Sequence, residues 1–240
     1  MNKQYLVILS VKLLVVSALL LMVYIGVMAL VRSSDFVIRK VEVEGDLQHV
    51  TRAQVERAVT AKLIGNFFTV NLHDLLQELK KLSWINRVEV RRVWPDRIIV
   101  RVSEHVVFAR WNESYLLSAE GKVFDGKSEQ PLPSLKGPDD SAQEVKERYL
   151  KFSSLLTSIN LIPQQVILSQ RRAWQLRLSN GLIVALGRDQ ANNTVESRLE
   201  RFLEVYEALG GRLNQQPLSY VDLRYPNGFA VRLGSKQEAI

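Results

Sequence analysis

Histidines, cysteines, serines in nucleophile motifs and paired carboxylates are the residues that could do chemistry. The 240-residue chain has no cysteine and three histidines, His49, His73 and His105. Without cysteine there are neither disulfides nor thiolate metal sites. The histidines stand apart, with no HxxxH or HExxH spacing to put two imidazoles on one helix face, so zinc is not expected. No serine lies in a G-x-S-x-G elbow, Gly210-Gly211 belongs to no phosphate loop, and no two carboxylates form an acid/base motif. Glu104 and Asp222 remain as isolated acids, a residue type more often ion-paired or solvated than catalytic. These residues point to a protein that is not an enzyme and holds no cofactor or metal.

Arginine is the remaining polar signal. Arg87, Arg91, Arg97 and Arg101 alternate with Val88, Val90, Ile98, Val100 and Val102 across two runs. An arginine-lined sheet face could bind phosphate, but any antiparallel sheet with one buried face produces the same alternation. No aromatic residues interleave with the arginines as a base-stacking surface would need, so nucleic acid is not expected. The formal net charge is +7, and it shrinks to a mild excess once Lys3, Lys12 and Arg32, which flank an apolar run, are set aside. A solvated surface near anionic lipid accounts for it.

That apolar run must position everything else. It begins at Leu13, ends at Val31 and contains no charge. As a helix at ~1.5 Å per residue it reaches roughly 28 Å, about the hydrocarbon thickness of a bilayer. A cleaved signal peptide would have a shorter apolar core and a small-x-small site, whereas Leu30, Val31 and Arg32 are all large. An uncleaved membrane anchor is the expectation. Basic residues lie on both sides of it, so charge fixes orientation poorly. The twelve residues ahead of it are too few to fold and large domains cross largely regardless of charge, which favours the amino terminus inside and the bulk outside.

Two small domains are expected beyond the anchor. Residues 36–44 read as a strand closed by Gly45 and Asp46. Thr51 with Gln54 forms a capping box opening a helix to about Lys62, and Asn71 caps a second helix with Leu72, Leu75, Leu76 and Leu79 along one stripe. Runs 85–92 and 97–102 form strands around a Pro95-Asp96 turn. The order is β-α-α-β-β, with a hydrophobic connection over 65–70.

From residue 103 onward, strands 106–111 and 115–117 flank an Asn112-Glu113-Ser114 turn, and Glu120-Gly121-Lys122 turns into Val123-Phe124. Pro131, Pro133, Gly137 and Pro138 mark a loop. Ser141 with Glu144 reads as a capping box for a helix to about Ile159. Strands 166–168 and 173–178 follow, and Asn180-Gly181 signals a hairpin into 182–186. A helix opens near Asn193 and stops at Gly210-Gly211. The chain closes with strand 220–225, a turn at Pro226-Asn227-Gly228 and strand 229–233. A terminal strand leaves N–H and C=O groups open unless it is blocked, paired in its own sheet or used by a partner.

The runs FVIRKVEVEG, WINRVEVRRVWPDRIIVRVSEHVVFARW and YVDLRYPNGFAVRL, taken with the anchor, resemble the bacterial FtsQ/DivIB cell-division family over essentially the whole chain. The resemblance implies an α+β fold: a single transmembrane helix, a POTRA (β-α-α-β-β) domain, and a mixed α/β "β domain" with a C-terminal antiparallel hairpin. The expected organisation is 1–12 as a short cytoplasmic segment, 13–31 as the transmembrane helix, 36–102 as POTRA, 103–233 as the β domain and 234–240 as a polar tail. It further implies a bitopic inner-membrane scaffold of the divisome at the septum, with its domains periplasmic. Its β domain would pair with FtsB, which arrives with FtsL, and its POTRA domain would contact other division proteins. By position, the partner patch would be Tyr225, Asn227, Gly228, Phe229, Ala230, Val231 and Arg232, with Arg171 and Arg224 meeting acidic partner groups. Val107 stands where the family commonly has Pro, and Leu233 where an aromatic residue often sits. Two other classes remain open: a POTRA-bearing polypeptide-transport component, which would usually continue into an outer-membrane barrel, and a membrane-anchored envelope enzyme.

Overall fold

The structure, a computed structural model, describes residues 3–208, 212–213, 216–225 and 228–234. Helix α1 spans Lys3–Val31. It starts ahead of the apolar run because no Pro or Gly interrupts 3–12, so Lys12 lies inside the helix instead of marking its boundary. Leu13 is 72% and Met22 75% exposed, so this is not the core helix of a soluble unit. The segment Ile8–Val31 is long and apolar enough to cross a bilayer, which fits a single-pass membrane protein.

The chain divides into two compact units, Met1–Glu104 and His105–Ile240. In the first, β1 (Lys40–Glu44), α2 (Arg52–Thr60), α3 (Leu72–Leu79), β2 (Ile85–Val93) and β3 (Arg97–Glu104) build a sheet of order β1-β3-β2, with β1 parallel and β2 antiparallel to β3. Strand β1 is shorter than the sequence pattern suggests. Ser33 accepts from the Asp35 N–H and turns 34–36 into a 3-10 helix, which takes Phe36 out of strand geometry. The capping box at Thr51 forms, with the Gln54 N–H on the Thr51 hydroxyl and the Thr51 N–H on the Gln54 side chain. Asn71 Oδ1 accepts from the His73 N–H. Both helices therefore begin where their side chains satisfy otherwise orphaned donors. Val55, Val59, Leu75 and Leu79 close over Ile98, Val100 and Val102.

The opposite face carries the arginines, and acids neutralise it: Arg97 meets Glu42 at 3.3 Å, and Arg101 meets Glu44 at 2.9 Å and Glu89 at 3.4 Å. Ile99 is buried on that face between Glu42 and Arg91, covered by the apolar stems of its neighbours.

In the second unit a ten-stranded sheet runs β11-β12-β10-β9-β8-β7-β4-β5-β6, with β13 on β12. The strands are β4 (Val107–Trp111), β5 (Tyr115–Ser118), β6 (Val123–Phe124), β7 (Ser134–Lys136), β8 (Pro163–Leu168), β9 (Ala173–Leu178), β10 (Ile183–Arg188), β11 (Arg212–Leu213), β12 (Gln216–Asp222) and β13 (Ala230–Leu233). Helix α4 (Ala142–Leu156) lies against β7 and β8, and α5 (Val195–Ala208) against β10. Trp111, Phe152, Leu176 and Phe202 are at the centre of the core.

Three sequence expectations change here. The Pro- and Gly-marked loop contains β7, parallel to both β4 and β8, with Leu135 fully buried. Ser141 caps nothing with its side chain: its hydroxyl donates to the Pro138 carbonyl, and Glu144 instead pairs with Arg172. Helix α5 opens at Thr194, whose hydroxyl accepts from the Ser197 N–H, while Asn193 receives Arg198 and Arg201. The expected helix stop at Gly210-Gly211 lies outside the described residues.

Candidate functional site

The final hairpin begins with β12, inserted parallel to β10 through Ile183↔Tyr220, Val184↔Val221 and Ala185↔Asp222. The strand starts earlier and ends sooner than the pattern 220–225 suggests. At its end Arg224 folds back: its N–H and Nε reach Asp222 Oδ1 at 3.1 and 2.8 Å, and Nη2 reaches Oδ2 at 2.5 Å. The Arg224 guanidinium holds the buried Asp222 carboxyl below the usual aspartate range, and Asp222 in turn raises the Arg224 pKa. Asp222 is thus a clamp and not an isolated acid.

Strand β13 pairs β12 antiparallel, with Tyr220↔Arg232, Val221↔Val231 and Asp222↔Ala230. Among the described residues it pairs with no other strand. The backbone direction of its edge can be read from its neighbours. The Leu223 N–H donates to the Ala185 carbonyl on β10 at 2.8 Å, so by strand alternation Val221 also faces β10. Val221 and Val231 are therefore a non-hydrogen-bonded pair, and Val231 points its N–H and C=O away from β12. The Gly234 N–H, three residues on and of opposite parity, bonds inward to the Pro217 carbonyl at 2.8 Å, as the same alternation requires.

The side chains group around this edge. Ala230, Val231 and Arg232 are exposed, with Arg232 over the Tyr220 ring at 5.7 Å. Tyr225 is 54% exposed. Phe229 differs: it is half-buried and meets Phe202 of α5 edge-on at 5.7 Å and 89°, so it is largely a core contact. Arg171 and Arg224 come together, lining a shallow depression of ≈ 370 Å³ with Arg188 and Arg198. Gly228 and Phe229 line a neighbouring one with Arg198, Arg201 and Leu223. Asn227 lies outside the described residues.

Two residues missed in the sequence organise this region. Arg198, 3% exposed, donates to the Leu186 carbonyl and, at 2.7 Å, to the Asn193 carbonyl. Burial pushes its pKa down, and its charge gives both depressions a positive field. The signal was present: Arg198 stands three residues after Val195 and four before Phe202, on the apolar stripe of α5. Gly187, at φ +76°, would bring a Cβ within 2.8 Å of Arg224 Cγ; glycine there leaves Arg224 room to lie across β10.

The histidines and Glu104 have structural roles. Burial pushes the Glu104 carboxyl up, but bonds from the Val50 N–H, the His49 imidazole and the His49 N–H outweigh it and leave the pKa lowered. His49 stacks on Trp84 at 3.6 Å, and His105 on Phe124 at 4.5 Å. His73 lies 3.3 Å from the Gln77 amide. Among the described residues no group of three His, Asp or Glu side chains could hold a metal ion.

A family model described as "Cell division protein FtsQ/DivIB, C-terminal" matches residues 109–224, and "POTRA domain, FtsQ-type" matches residues 36–105. The chain is 43% identical over 188 residues to a cell division protein FtsQ of Nitrosospira multiformis, covering 78% of each. It belongs to the FtsQ/DivIB family of cell division proteins. A relative of the same name from Burkholderia pseudomallei is 36% identical over 217 residues, 89% of this chain and 86% of that one. Another, from Coxiella burnetii, is 31% identical over 231 residues, 93% of both. The first unit accordingly carries an FtsQ-type POTRA domain after α1, and the second carries the FtsQ/DivIB C-terminal domain.

Proposed function

We propose that this FtsQ/DivIB member is a non-catalytic, membrane-anchored scaffold of the division machinery. Its amino terminus is cytoplasmic, its two domains are periplasmic, it acts at the septum, and β13 is extended by a strand of FtsB arriving with FtsL. The observation that carries the reading is the outward N–H and C=O of Val231 on an exposed strand whose only described partner is β12. A strand added there gains main-chain hydrogen bonds, and side chains at alternate positions select it. Ala230, Val231 and Arg232 provide the edge, Tyr225 and Gly228 flank it, and Phe229 packs on Phe202 of α5. Arg171 and Arg224 offer positive charge to acidic groups of the guest.

The test is titration of the full-length protein in detergent with a peptide from the periplasmic part of FtsB. Val231→Pro removes one outward donor without cutting the β12 ladder, and Tyr225→Ala removes an exposed ring. Both are expected to abolish binding while leaving the thermal melt in place. Unchanged binding by Val231→Pro would place the partner elsewhere. Phe229→Ala is the poorer probe, since it also removes a contact to Phe202.

A further inference from the structure

The end of α1 is joined to the connection between α2 and α3 by more than a tether. Asn66, 8% exposed, donates Nδ2 to the Val31 carbonyl at 2.7 Å and to the Ser33 carbonyl at 3.1 Å. Its Oδ1 accepts from the N–H groups of Phe68 and Thr69 at 3.1 Å each and from the Thr69 hydroxyl at 3.0 Å. Carbonyls only accept and N–H groups only donate, so these partners fix the orientation of the amide. Val31 O is among the carbonyls that a helix end leaves without an internal donor, so Asn66 caps α1 from outside. The Phe67 N–H adds a bond to the Phe36 carbonyl at 2.8 Å, and the Phe36 and Phe68 rings meet edge-on at 5.0 Å.

The same connection turns apolar side chains outward. Beyond α1, the exposed large hydrophobic residues of the first unit are Val37 (50%), Ile64 (78%), Phe68 (43%) and Trp94 (70%). All but Trp94 belong to this junction. Arg32 and Lys62, both exposed, flank it in the chain. An inserted helix ends at the boundary between hydrocarbon and headgroups, where aromatic and basic side chains are favoured.

We propose that loop 63–68 is a membrane-seating surface: Ile64 and Phe68 enter the headgroup region of the lipid bilayer beside the point where α1 leaves it, with Arg32 toward lipid phosphates. The occupant is lipid because the loop is hydrogen-bonded to the last residue of the span, and a surface so attached is at the bilayer before any other partner arrives. This rests on the reading of α1 as an inserted helix.

The absence of cysteine makes the test direct. Full-length protein carrying Leu20→Cys, Lys62→Cys or Ser103→Cys is labelled with an environment-sensitive fluorophore. It is then reconstituted in phosphatidylethanolamine and phosphatidylglycerol vesicles containing a lipid quencher near the headgroup. The label at 62 should shift to the blue and lose emission, and the label at 103 should do neither. Ile64→Asp with Phe68→Asp should restore emission at 62, leaving label 20 as it was and the thermal melt unchanged. Emission at 62 insensitive to the quencher while label 20 is blue-shifted overturns the seating alone. Loss of emission at 62 that survives the double substitution, or equal loss at 103, overturns it as well. A label at 20 that reports water instead refutes insertion of α1, and the seating falls with it.

Discussion

Asp222 shows how one carboxylate can end a strand, by holding the backbone and side chain of Arg224. Its side chain is 7% exposed and that of its partner Arg224 61%, so the ion pair is half in water and its worth is correspondingly reduced. Asp222→Asn is expected to cost about 1 kcal/mol in chemical denaturation at neutral pH and to speed amide exchange in the segment after β12. Because the folded pKa is depressed, this contribution is complete above the ordinary aspartate value of about 3.9 and is lost as pH falls through the lower folded value. Denaturation series carried from pH 7 downward should show wild type starting to lose the increment below about 3.9 and Asp222→Asn having none to lose. Gly187→Ala tests the other side of the same clamp. A non-glycine residue at φ +76° costs roughly 1–2 kcal/mol, and the new Cβ also displaces Arg224, so the melt should drop and partner binding should weaken with it.

At the scale of elements, the two helix starts that share a sequence signature behave differently. Thr51→Ala removes a formed cap and should destabilise the first unit by about 0.5–2 kcal/mol. Glu144→Gln should change stability by less than about 0.5 kcal/mol, since Glu144 closes no box and its pair with Arg172 is exposed. Urea titration of both variants makes the comparison. Leu135→Ala should cost about 2–5 kcal/mol, the penalty of a core strand and not of a loop. The helices of the first unit and the hairpin at Asn180-Gly181 were legible because each has its own periodicity or turn chemistry. Strand β7 was not: it is confined between Pro133 and Gly137, too short for alternation, and only its two parallel neighbours make it a strand. The true extent of β12 was hidden for a similar reason, since Arg224 ends the strand by a side-chain bond that hydropathy does not register. The candidate edge was placed by resemblance, whereas the outward face of Val231 and the burial of Arg198 required the sheet.

At the scale of the molecule, each unit has its own core. The buried residues of the second, from Ala109 to Leu223, come from within that unit. Residues 105–240 expressed alone should therefore fold, with near-ultraviolet dichroism from Trp111 and Trp174 and a cooperative melt; a featureless spectrum would show that this core needs the rest of the chain. The Asn66 cap has a mechanical consequence for the other unit. A domain hung from a slack tether swivels freely, so nothing done to its stalk is felt by it. Here the last residue of the stalk and Ser33 just beyond it are keyed to the load by the two hydrogen bonds of the Asn66 amide. If a neighbouring helix in the bilayer rolls α1 about its axis, the POTRA domain turns with it as a crank turns with its shaft.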